Sequence, residues 1–534
     1  MAQLYFASLL TLTLLAGMLA GLVIAVLVAM ESMDLGIALA LTVALNLLLF
    51  VVSPWITDLT LRWVNGVQFL DDDALAQKHP HVHAIIHDVA REYGFKAPSI
   101  GIIADRNPTA FTYGILRSNA RIVLTDGIFE FLGDEETKAV VAHELGHIVH
   151  RDFLVMTIAG MLVQMTFQIY ARLRRVKSDS KKGNQLIVVA MAAYVAYLIG
   201  TYVLLYLSRT REYLADSFSA ERVEARHLAN ALIKIAYGIA QAADTETSRN
   251  LLAGTRHLGV VDVRSASRMG LVAESGDGSS EAAAKAMLFD CYNPWAKLVE
   301  ISSTHPLTGR RILALAAIAR NKGQSFPDFD IEATARRAGV DLQAVNRQFR
   351  EEALVVAMPW LAAFGAVVLG MAPLAPAALA VGWLWQVRWR YPLGAPAPAT
   401  VTQLLGDWSA SPVRGRLVKL SGKPIGRVDA GSAFGEDLIF ADKTGRIATD
   451  FRSMLGPLGD MYAGWARVDE HLEQEGEALG WYRRGLGGFV ILRRLSTRAG
   501  VLEARPYFWE IAFPLVILAG TAVFGLMVLG GAPH

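Results

Sequence analysis

The beginning of the chain is dominated by two apolar runs, residues 4–30 and 35–56, with a short polar link between them. Each run is long enough to cross a hydrocarbon core of about 30 Å as an α-helix. A cleaved signal peptide is the alternative, but such a peptide begins with basic residues, and the opening Met-Ala-Gln has none. The pattern therefore predicts a transmembrane hairpin over residues 1–57.

Three further apolar regions follow, and they alternate with polar segments. Residues 153–171 and 186–207 predict a central pair of spans inside a longer segment, 58–352, that is otherwise polar enough to fold in water. Residues 353–387 are about twice the length of one short span and are interrupted by Ala-Pro-Leu-Ala-Pro at 372–376, so they predict a hydrophobic hairpin of one or two spans. Residues 511–530 predict a last transmembrane helix.

The segment 398–506 has a different sequence pattern, in which short apolar runs are separated by glycine-rich turns. The predicted strands are 413–420, 437–441, 446–451 and 488–494. This pattern suits a small β-rich domain such as an OB-like barrel. Substrate recognition and oligomerisation both stay open as its role.

Composition supports a membrane protein and excludes other classes. The chain has 534 residues, of which 53% are hydrophobic, and a mean hydropathy of +0.35, which is higher than in most soluble proteins. The net charge is only +2 and the basic residues form no single block, so nucleic acid is not an expected partner. The single cysteine, Cys291, excludes an intramolecular disulfide and is interpreted as a structural thiol.

The clearest chemical signal is His-Glu-Leu-Gly-His at 143–147, inside a segment that reads as a helix with Asp134 as its N-cap. A spacing of four places His143 and His147 on one helix face, where both imidazoles can bind one metal ion. Glu144 would project beside the metal and take a proton from water. The motif predicts a zinc site with Glu144 as the general base.

Hydrolytic zinc sites take a third protein ligand and leave one position open. Downstream, Glu212 and Asp216 share a helix face at a spacing of four, so that one could bind zinc and the other could hold a metal-bound imidazole. An ordinary charged helix face, with Arg209 and Arg211 as interfacial anchors, is the competing interpretation. The residues alone leave both open.

Together these motifs resemble the M48 family of membrane zinc endopeptidases, in particular its HtpX-like branch. The string at 208–216, Ser-Arg-Thr-Arg-Glu-Tyr-Leu-Ala-Asp, matches the family pattern S-R-x-x-E-x-x-A-D, and 109–114 matches N-A-F-x-x-G except that Thr109 replaces the asparagine. The resemblance implies a mainly helical zincin-type (gluzincin) domain with one zinc ion and Glu212 as the third ligand. It also implies that Asp216 and Arg209 support the ligands. The residues expected to contact substrate are Ala110, Phe111 and Gly114.

Histidines outside the His-Glu-Leu-Gly-His motif give weaker signals. His305, in the family-like string Ser-Thr-His-Pro-Leu at 303–307, is expected to stabilise the oxyanion or to approach zinc as an inhibitory ligand; a loop histidine that caps the next helix is the alternative. The histidines near residue 80 include His83 and His87, whose spacing could bind metal. With no third ligand evident beside them, they are interpreted as a solvent-facing helix.

The resemblance implies a multi-pass membrane peptidase of the cell (inner or plasma) membrane that cleaves unfolded or membrane polypeptides in quality control. A substrate would add as a strand along 110–114. A CAAX-type prenyl protein peptidase, and a membrane scaffold or receptor with a structural zinc site, are the alternatives. HtpX-like proteins place the metal domain in the cytoplasm, although the basic loop 172–182 would itself prefer that side. We retain the cytoplasmic assignment as the expectation.

Overall fold

The computed structural model describes residues 65–174, 181–241, 280–326, 330–427, 437–485 and 487–530, together with scattered positions between 52 and 63. Most of the predicted hairpin 1–57 therefore lies outside the described residues. The chain divides into two compact units: Met1–Ala266 with Glu300–Asp328, and Ser267–Val299 with Phe329–His534.

Helices and strands are numbered in chain order. The helices are α1 Asp72–Lys78, α2 Pro80–Tyr93, α3 Asp126–Phe131, α4 Asp134–Val149, α5 Asp152–Leu173, α6 Lys181–Arg222, α7 Ala225–Gln241, α8 Ser280–Tyr292, α9 Pro294–Ile301, α10 Thr308–Asn321, α11 Ile331–Arg337, α12 Leu342–Val368, α13 Ala375–Arg390, α14 Val401–Leu405, α15 Pro457–Ala466, α16 Val468–His471 and α17 Phe508–Gly530. The strands are β1 Gln68–Leu70, β2 Ser99–Ile103, β3 Ala110–Tyr113, β4 Arg121–Thr125, β5 Ala397–Pro398, β6 Arg416–Arg427, β7 Leu438–Asp442, β8 Gly445–Asp450, β9 Gly476–Arg484, β10 Gly488–Thr497 and β11 Gly500–Glu503.

The first unit contains a four-stranded sheet in the order β1-β2-β4-β3. Strands β2 and β4 are parallel, whereas β3 runs antiparallel to β4 and forms an edge of the sheet. Helix α4 packs beside β3. This arrangement places the His-Glu-Leu-Gly-His motif next to an edge strand.

Helix α4 begins one residue earlier than predicted. Its N-cap is Gly133 rather than Asp134, because the side chain of Glu136 reaches back and accepts a hydrogen bond from Gly133 N (2.9 Å). Asp134 is the first helical residue, where a carboxylate interacts favourably with the helix dipole. Two residues of the motif, His143 and Glu144, lie in the buried part of the helix.

Among the described helices, four are long and apolar enough to span a membrane: Asp152–Ala171, Gln185–Arg222, Leu342–Val368 and Phe508–Met527. The second of these runs well past the predicted end at residue 207, because α6 continues unbroken to Arg222. Glu212 therefore lies on the same unbroken helix as the apolar run 186–207.

In the second unit, the long apolar region 353–387 is divided between α12 and α13, which pack against each other. They approach closely at Gly382, where an added Cβ would lie 2.9 Å from the Cα of Pro359. Helix α13 has 16 residues and is not among the four candidate spans. It also packs against α17.

The β-rich segment closes into a barrel. Pairing runs from β6 to β7, β8, β10 and β9 and returns to β6, and only the β8–β10 pair is parallel. Its interior is apolar, with buried residues that include Val418, Phe440, Ile447 and Leu492. The sequence pattern does not predict β9, because this strand lies between two neighbours and its last five residues are all buried, which hides the alternation expected of a strand.

Candidate metal centre

Three side chains from two helices converge on one point in the first unit. His143 and His147 come from α4, and Glu212 comes from α6. The two Nε2 atoms are 3.2 Å apart, and they lie 3.7 and 3.6 Å from the Glu212 carboxylate oxygens. Ligands about 2.0–2.1 Å from a tetrahedral zinc ion would be roughly 3.3–3.4 Å apart. The separations therefore fit a zinc ion held by these three groups.

The chemistry of the donor set also fits a cation. The side chain of His143 is fully buried and that of Glu212 is 8% exposed. The Oε2 atom of Glu212 is buried, with His305 Nδ1 3.0 Å away. A buried carboxylate is costly unless positive charge compensates it. A divalent ion between the three ligands would provide that charge.

Asp216 contacts the imidazole of His143 at Nδ1, the ring nitrogen that faces away from the other ligands. His143 Nδ1 lies 3.0 Å from Asp216 Oδ1, one helical turn beyond Glu212 on α6. The guanidinium of Arg311, on α10, donates two hydrogen bonds to the same carboxylate, at 2.8 and 2.6 Å. Asp216 thereby orients the ring so that Nε2 faces the other ligands.

The imidazole of His147 contacts Asp152, a residue that the sequence motifs do not indicate. Its Nδ1 lies 2.6 Å from Asp152 Oδ2, and Arg211 donates to the other oxygen of that carboxylate. Asp152 is the first residue of α5 and follows Arg151, which has a left-handed conformation (φ 57°). This turn directs Asp152 back toward His147. Helical spacing alone could not predict the contact, because the helix ends between the two residues.

Glu144 lies in the same buried region and contacts β3. Thr112 donates a hydrogen bond from Oγ1 to Glu144 Oε2, while Oε1 is buried and has no hydrogen-bond partner among the described residues. Burial raises the pKa of Glu144 above its ordinary value. Thr112 occupies a variable position of the string 109–114, so the motif itself gave no signal for this contact.

Comparison with known proteins assigns the chain to a family. The model of peptidase family M48 matches residues 76–319, which contain every ligand described above. A protease HtpX homolog of Methanothermobacter thermautotrophicus is 35% identical over 187 residues, covering 35% of this chain and 67% of that protein. The chain belongs to peptidase family M48.

Two further protease HtpX homologs match larger shares of this chain. A protease HtpX homolog of Aquifex aeolicus is 30% identical over 283 residues, which cover 51% of this chain and 81% of that protein. One from Pyrococcus furiosus is 29% identical over 300 residues, covering 54% and 89%. The crystal structure of S. mikatae Ste24p overlaps 44% of this chain and 59% of its own at 21% identity, with a TM-score of 0.28. The resemblance to the HtpX-like branch of M48 is confirmed.

Two residues expected to support the M48 centre have distinct positions. His305 is buried, and its Nδ1 lies 3.0 Å from Glu212 Oε2. Arg209 contacts no ligand; it donates to the carbonyls of Ile301 and Ser303 at 3.1 and 2.7 Å. Arg209 therefore holds the loop that carries His305. The carboxylates that hold the two imidazoles are instead fixed by Arg211 and Arg311.

The residues expected to contact substrate lie on or beside β3. Ala110 and Thr112 occupy one face of the strand, and Phe111 occupies the other, where it packs with Val67, Ile103 and Val123 in the core. Gly114 follows the strand with φ 156°, and an added Cβ would lie 3.0 Å from the backbone of Ala120. The side chain of Phe111 is thus turned away from the centre, and only its backbone lies on the edge strand.

The structure corrects the interpretation of the histidines near residue 80. His83 and His87 do have a carboxylate neighbour, since both point at Asp72 of α1. Asp72 lies 11 and 15 residues before them. Sequence spacing could not predict the contact, because it depends on how α1 folds against α2.

Proposed function

We propose that this M48 protein is a membrane-bound zinc endopeptidase. The observation that carries the proposal is the triangle of His143 Nε2, His147 Nε2 and the Glu212 carboxylate, with sides of 3.2 to 3.7 Å. The carboxylate of Glu144, one residue from the first ligand, is buried beside it. A purely structural metal site would not need that carboxylate.

The proposed roles follow from the contacts. His143, His147 and Glu212 would hold the zinc ion, and Asp216 and Asp152 would keep the two Nε2 atoms directed at it. When bound, zinc would lower the pKa of water and polarise the scissile carbonyl. These five side chains would therefore keep the ligand geometry constant while the substrate binds and leaves.

Glu144 would move the proton of the reaction. It takes a proton from the attacking water as the C–O bond forms, and it delivers this proton to the leaving nitrogen as the C–N bond breaks. The Thr112 hydroxyl, which donates to Oε2, would leave Oε1 free for the water. His305, whose Nδ1 lies 3.0 Å from Glu212 Oε2, is the proposed donor to the oxyanion.

The substrate would be an extended polypeptide. Strand β3 lies at an edge of its sheet and contacts Glu144 through Thr112, so a peptide could pair with it and bring a carbonyl to the centre. Because backbone pairing requires no particular side chains, broad sequence tolerance is expected. Helix α6 connects the centre directly to a candidate membrane span, which supports unfolded or membrane proteins as substrates.

For the cell, we propose a role in protein quality control at the inner or plasma membrane, with the metal centre on the cytoplasmic side.

We further propose that the barrel is OB-like, since its strands follow the closed order β6-β7-β8-β10-β9 and two helices, α15 and α16, lie between β8 and β9.

The test is a comparison of the parent with Glu144→Gln in detergent, with zinc content and cleavage of casein measured on the same samples. We expect the variant to keep its zinc and to lose about 10²- to 10⁴-fold in rate, the usual contribution of a general base. Glu135→Gln is the matched control, because Glu135 is an exposed residue in the first turn of the same helix. Cleavage at the parental rate by Glu144→Gln would refute the role of Glu144, and a zinc-loaded parent that cleaves nothing would favour a structural site.

A further inference from the structure

A second group of metal-binding side chains lies at the surface of the first unit. His87 Nε2 is 2.7 Å from Asp72 Oδ1, and His83 Nε2 is 3.4 Å from Asp72 Oδ2. The two imidazole rings are adjacent, with centroids 4.2 Å apart. All three side chains are partly accessible, at 65% for Asp72, 27% for His83 and 32% for His87.

His87 Nε2 and Asp72 Oδ1 are at hydrogen-bond distance in the structure (2.7 Å), and a bound metal ion would replace this contact with two ligand bonds. His83 and His87 lie one turn apart on α2, so both rings project from one face. Two imidazoles and one carboxylate are donor types that zinc binds in proteins. A divalent cation would accept a lone pair from each Nε2 and would neutralise the carboxylate.

We propose that Asp72, His83 and His87 bind one zinc ion at this surface, separately from the M48 centre. Their exposure leaves the remaining coordination positions to water, so the site should be weaker than the catalytic one. The ion would link two helices, because Asp72 is the first residue of α1 and the two histidines belong to α2. The ion would fix these two helices to each other.

The test is a zinc titration of the full chain in detergent at buffered micromolar free zinc, with bound metal counted by mass spectrometry. We expect the parent to bind one more zinc ion than His87→Ala or Asp72→Asn, both of which should keep full peptidase activity. His81→Ala is the control, since His81 is on the same helix but faces Asp134 at 3.7 Å. A parent that binds a single zinc ion, or variants that bind as many ions as the parent, would overturn the proposal.

A different observation concerns the barrel of the second unit. One face of α15 and the turn before it carries large apolar side chains with high exposure, and we name this surface the apolar ridge. It consists of Met454 (46%), Leu455 (70%), Leu458 (78%), Met461 (46%), Tyr462 (60%) and Trp465 (64%). The opposite face of α15 is buried at Gly459 and Ala463, and Ala463 belongs to the barrel core.

The apolar ridge begins beside the start of the last candidate span. Arg505 N donates to Arg452 O at 2.7 Å, and this bond joins the turn before α15 to the residues before α17. An added Cβ at Gly456 would lie 3.4 Å from Trp509 Nε1, in the first turn of α17. The ridge is therefore continuous with the place where α17 enters the bilayer.

The chemistry of the ridge suits lipid. Tyrosine and tryptophan favour the boundary between headgroups and acyl chains, and a helix with one apolar face can lie in that plane. Trp509 and Phe513 of α17 are themselves 49% and 59% exposed. We infer that the apolar ridge is immersed in the lipid boundary of the leaflet that α17 enters, and that it fixes the barrel against the membrane.

Spin labels can measure this immersion in vesicles of zwitterionic and anionic phospholipid. In a Cys291→Ser background, single cysteines at Leu458 and Trp465 would be labelled, with Lys443 in the exposed β7–β8 turn as the control. We expect collisions with oxygen to increase and collisions with a water-soluble nickel chelate to decrease at both ridge positions relative to Lys443. Nickel accessibility equal to that at Lys443 would show that the apolar ridge faces water. Protection from both agents that grows with the protein-to-lipid ratio would show a second copy of the chain. Either result would overturn the inference.

Discussion

At the scale of single residues, the centre depends on the side chains that hold the ligands as much as on the ligands themselves. Each imidazole of α4 has a carboxylate behind it, and each carboxylate has its own arginine: Asp216 with Arg311 and Asp152 with Arg211. Such partners fix the tautomer and the orientation of a metal-binding histidine. The two arginines also compensate carboxylates that would otherwise be buried and unpaired.

Asp152→Asn tests this support directly. Because the amide can hold His147 Nδ1 only weakly, we expect the affinity for zinc to fall by about 10- to 100-fold, with a smaller change in the cleavage rate at saturating zinc. Chelator competition would measure the affinity, and circular dichroism would check that the variant stays folded, since Arg211 loses its charge partner. Unchanged affinity in a folded variant would mean that Asp152 does not position His147; Glu135→Gln is again the control.

At the scale of elements, the centre exists because two helices pack closely. An added Cβ at Gly146, between the two histidines, would lie 3.1 Å from the Cα of Ala215 and 3.2 Å from the Cβ of Phe218. Ala215 lies between Glu212 and Asp216 on α6. The glycine therefore allows α4 and α6 to approach closely enough for their ligands to meet.

Gly146→Val should separate these helices. Valine favours a helix over glycine by a few tenths of a kcal/mol, but overpacking a close contact costs about 1–3 kcal/mol. We expect weaker zinc binding together with a lower melting temperature, both measurable on the purified protein. Gly160→Val is the control, since nothing lies within 4 Å of an added Cβ there. A variant as stable and as zinc-rich as the parent would contradict the proposed packing.

At the scale of the whole molecule, the chain combines two units with separate cores. The M48 centre lies entirely in the first unit, and the barrel core lies in the second. A metal ion that binds only the folded state stabilises that state in proportion to the logarithm of its concentration over the dissociation constant. Zinc should therefore stabilise the first unit and leave the second unit unchanged.

Removal of metal by a chelator should separate the two units in a thermal scan. We expect the transition of the first unit to fall by several degrees while that of the barrel stays constant, as followed by calorimetry and by limited proteolysis with mapped cut sites. Glu212→Gln should bind zinc weakly at the M48 centre, so the chelator should shift its first transition much less than that of the parent. This comparison distinguishes loss of zinc from the M48 centre from loss of zinc at the surface. Equal shifts of both transitions would contradict independent units.

The sequence by itself determined the family and indicated the membrane class, and it predicted three metal ligands and a general base. These depend on residue types at fixed local spacing, such as His143 and His147 one turn apart, and on apolar runs long enough to cross a bilayer. It also indicated a β-rich domain, although it missed β9, whose burial hides the alternation of strand residues.

Only the tertiary structure decided which distant residues complete each site. Asp152 reaches His147 across a left-handed turn, Thr112 reaches Glu144 from an edge strand, and Asp72 reaches His87 from a neighbouring helix. None of these contacts has a helical or strand period, because each depends on how two elements pack. The local motif therefore predicts the chemistry, and the packing of α4 against β3 and α6 decides the supporting side chains and the surface that a substrate can reach.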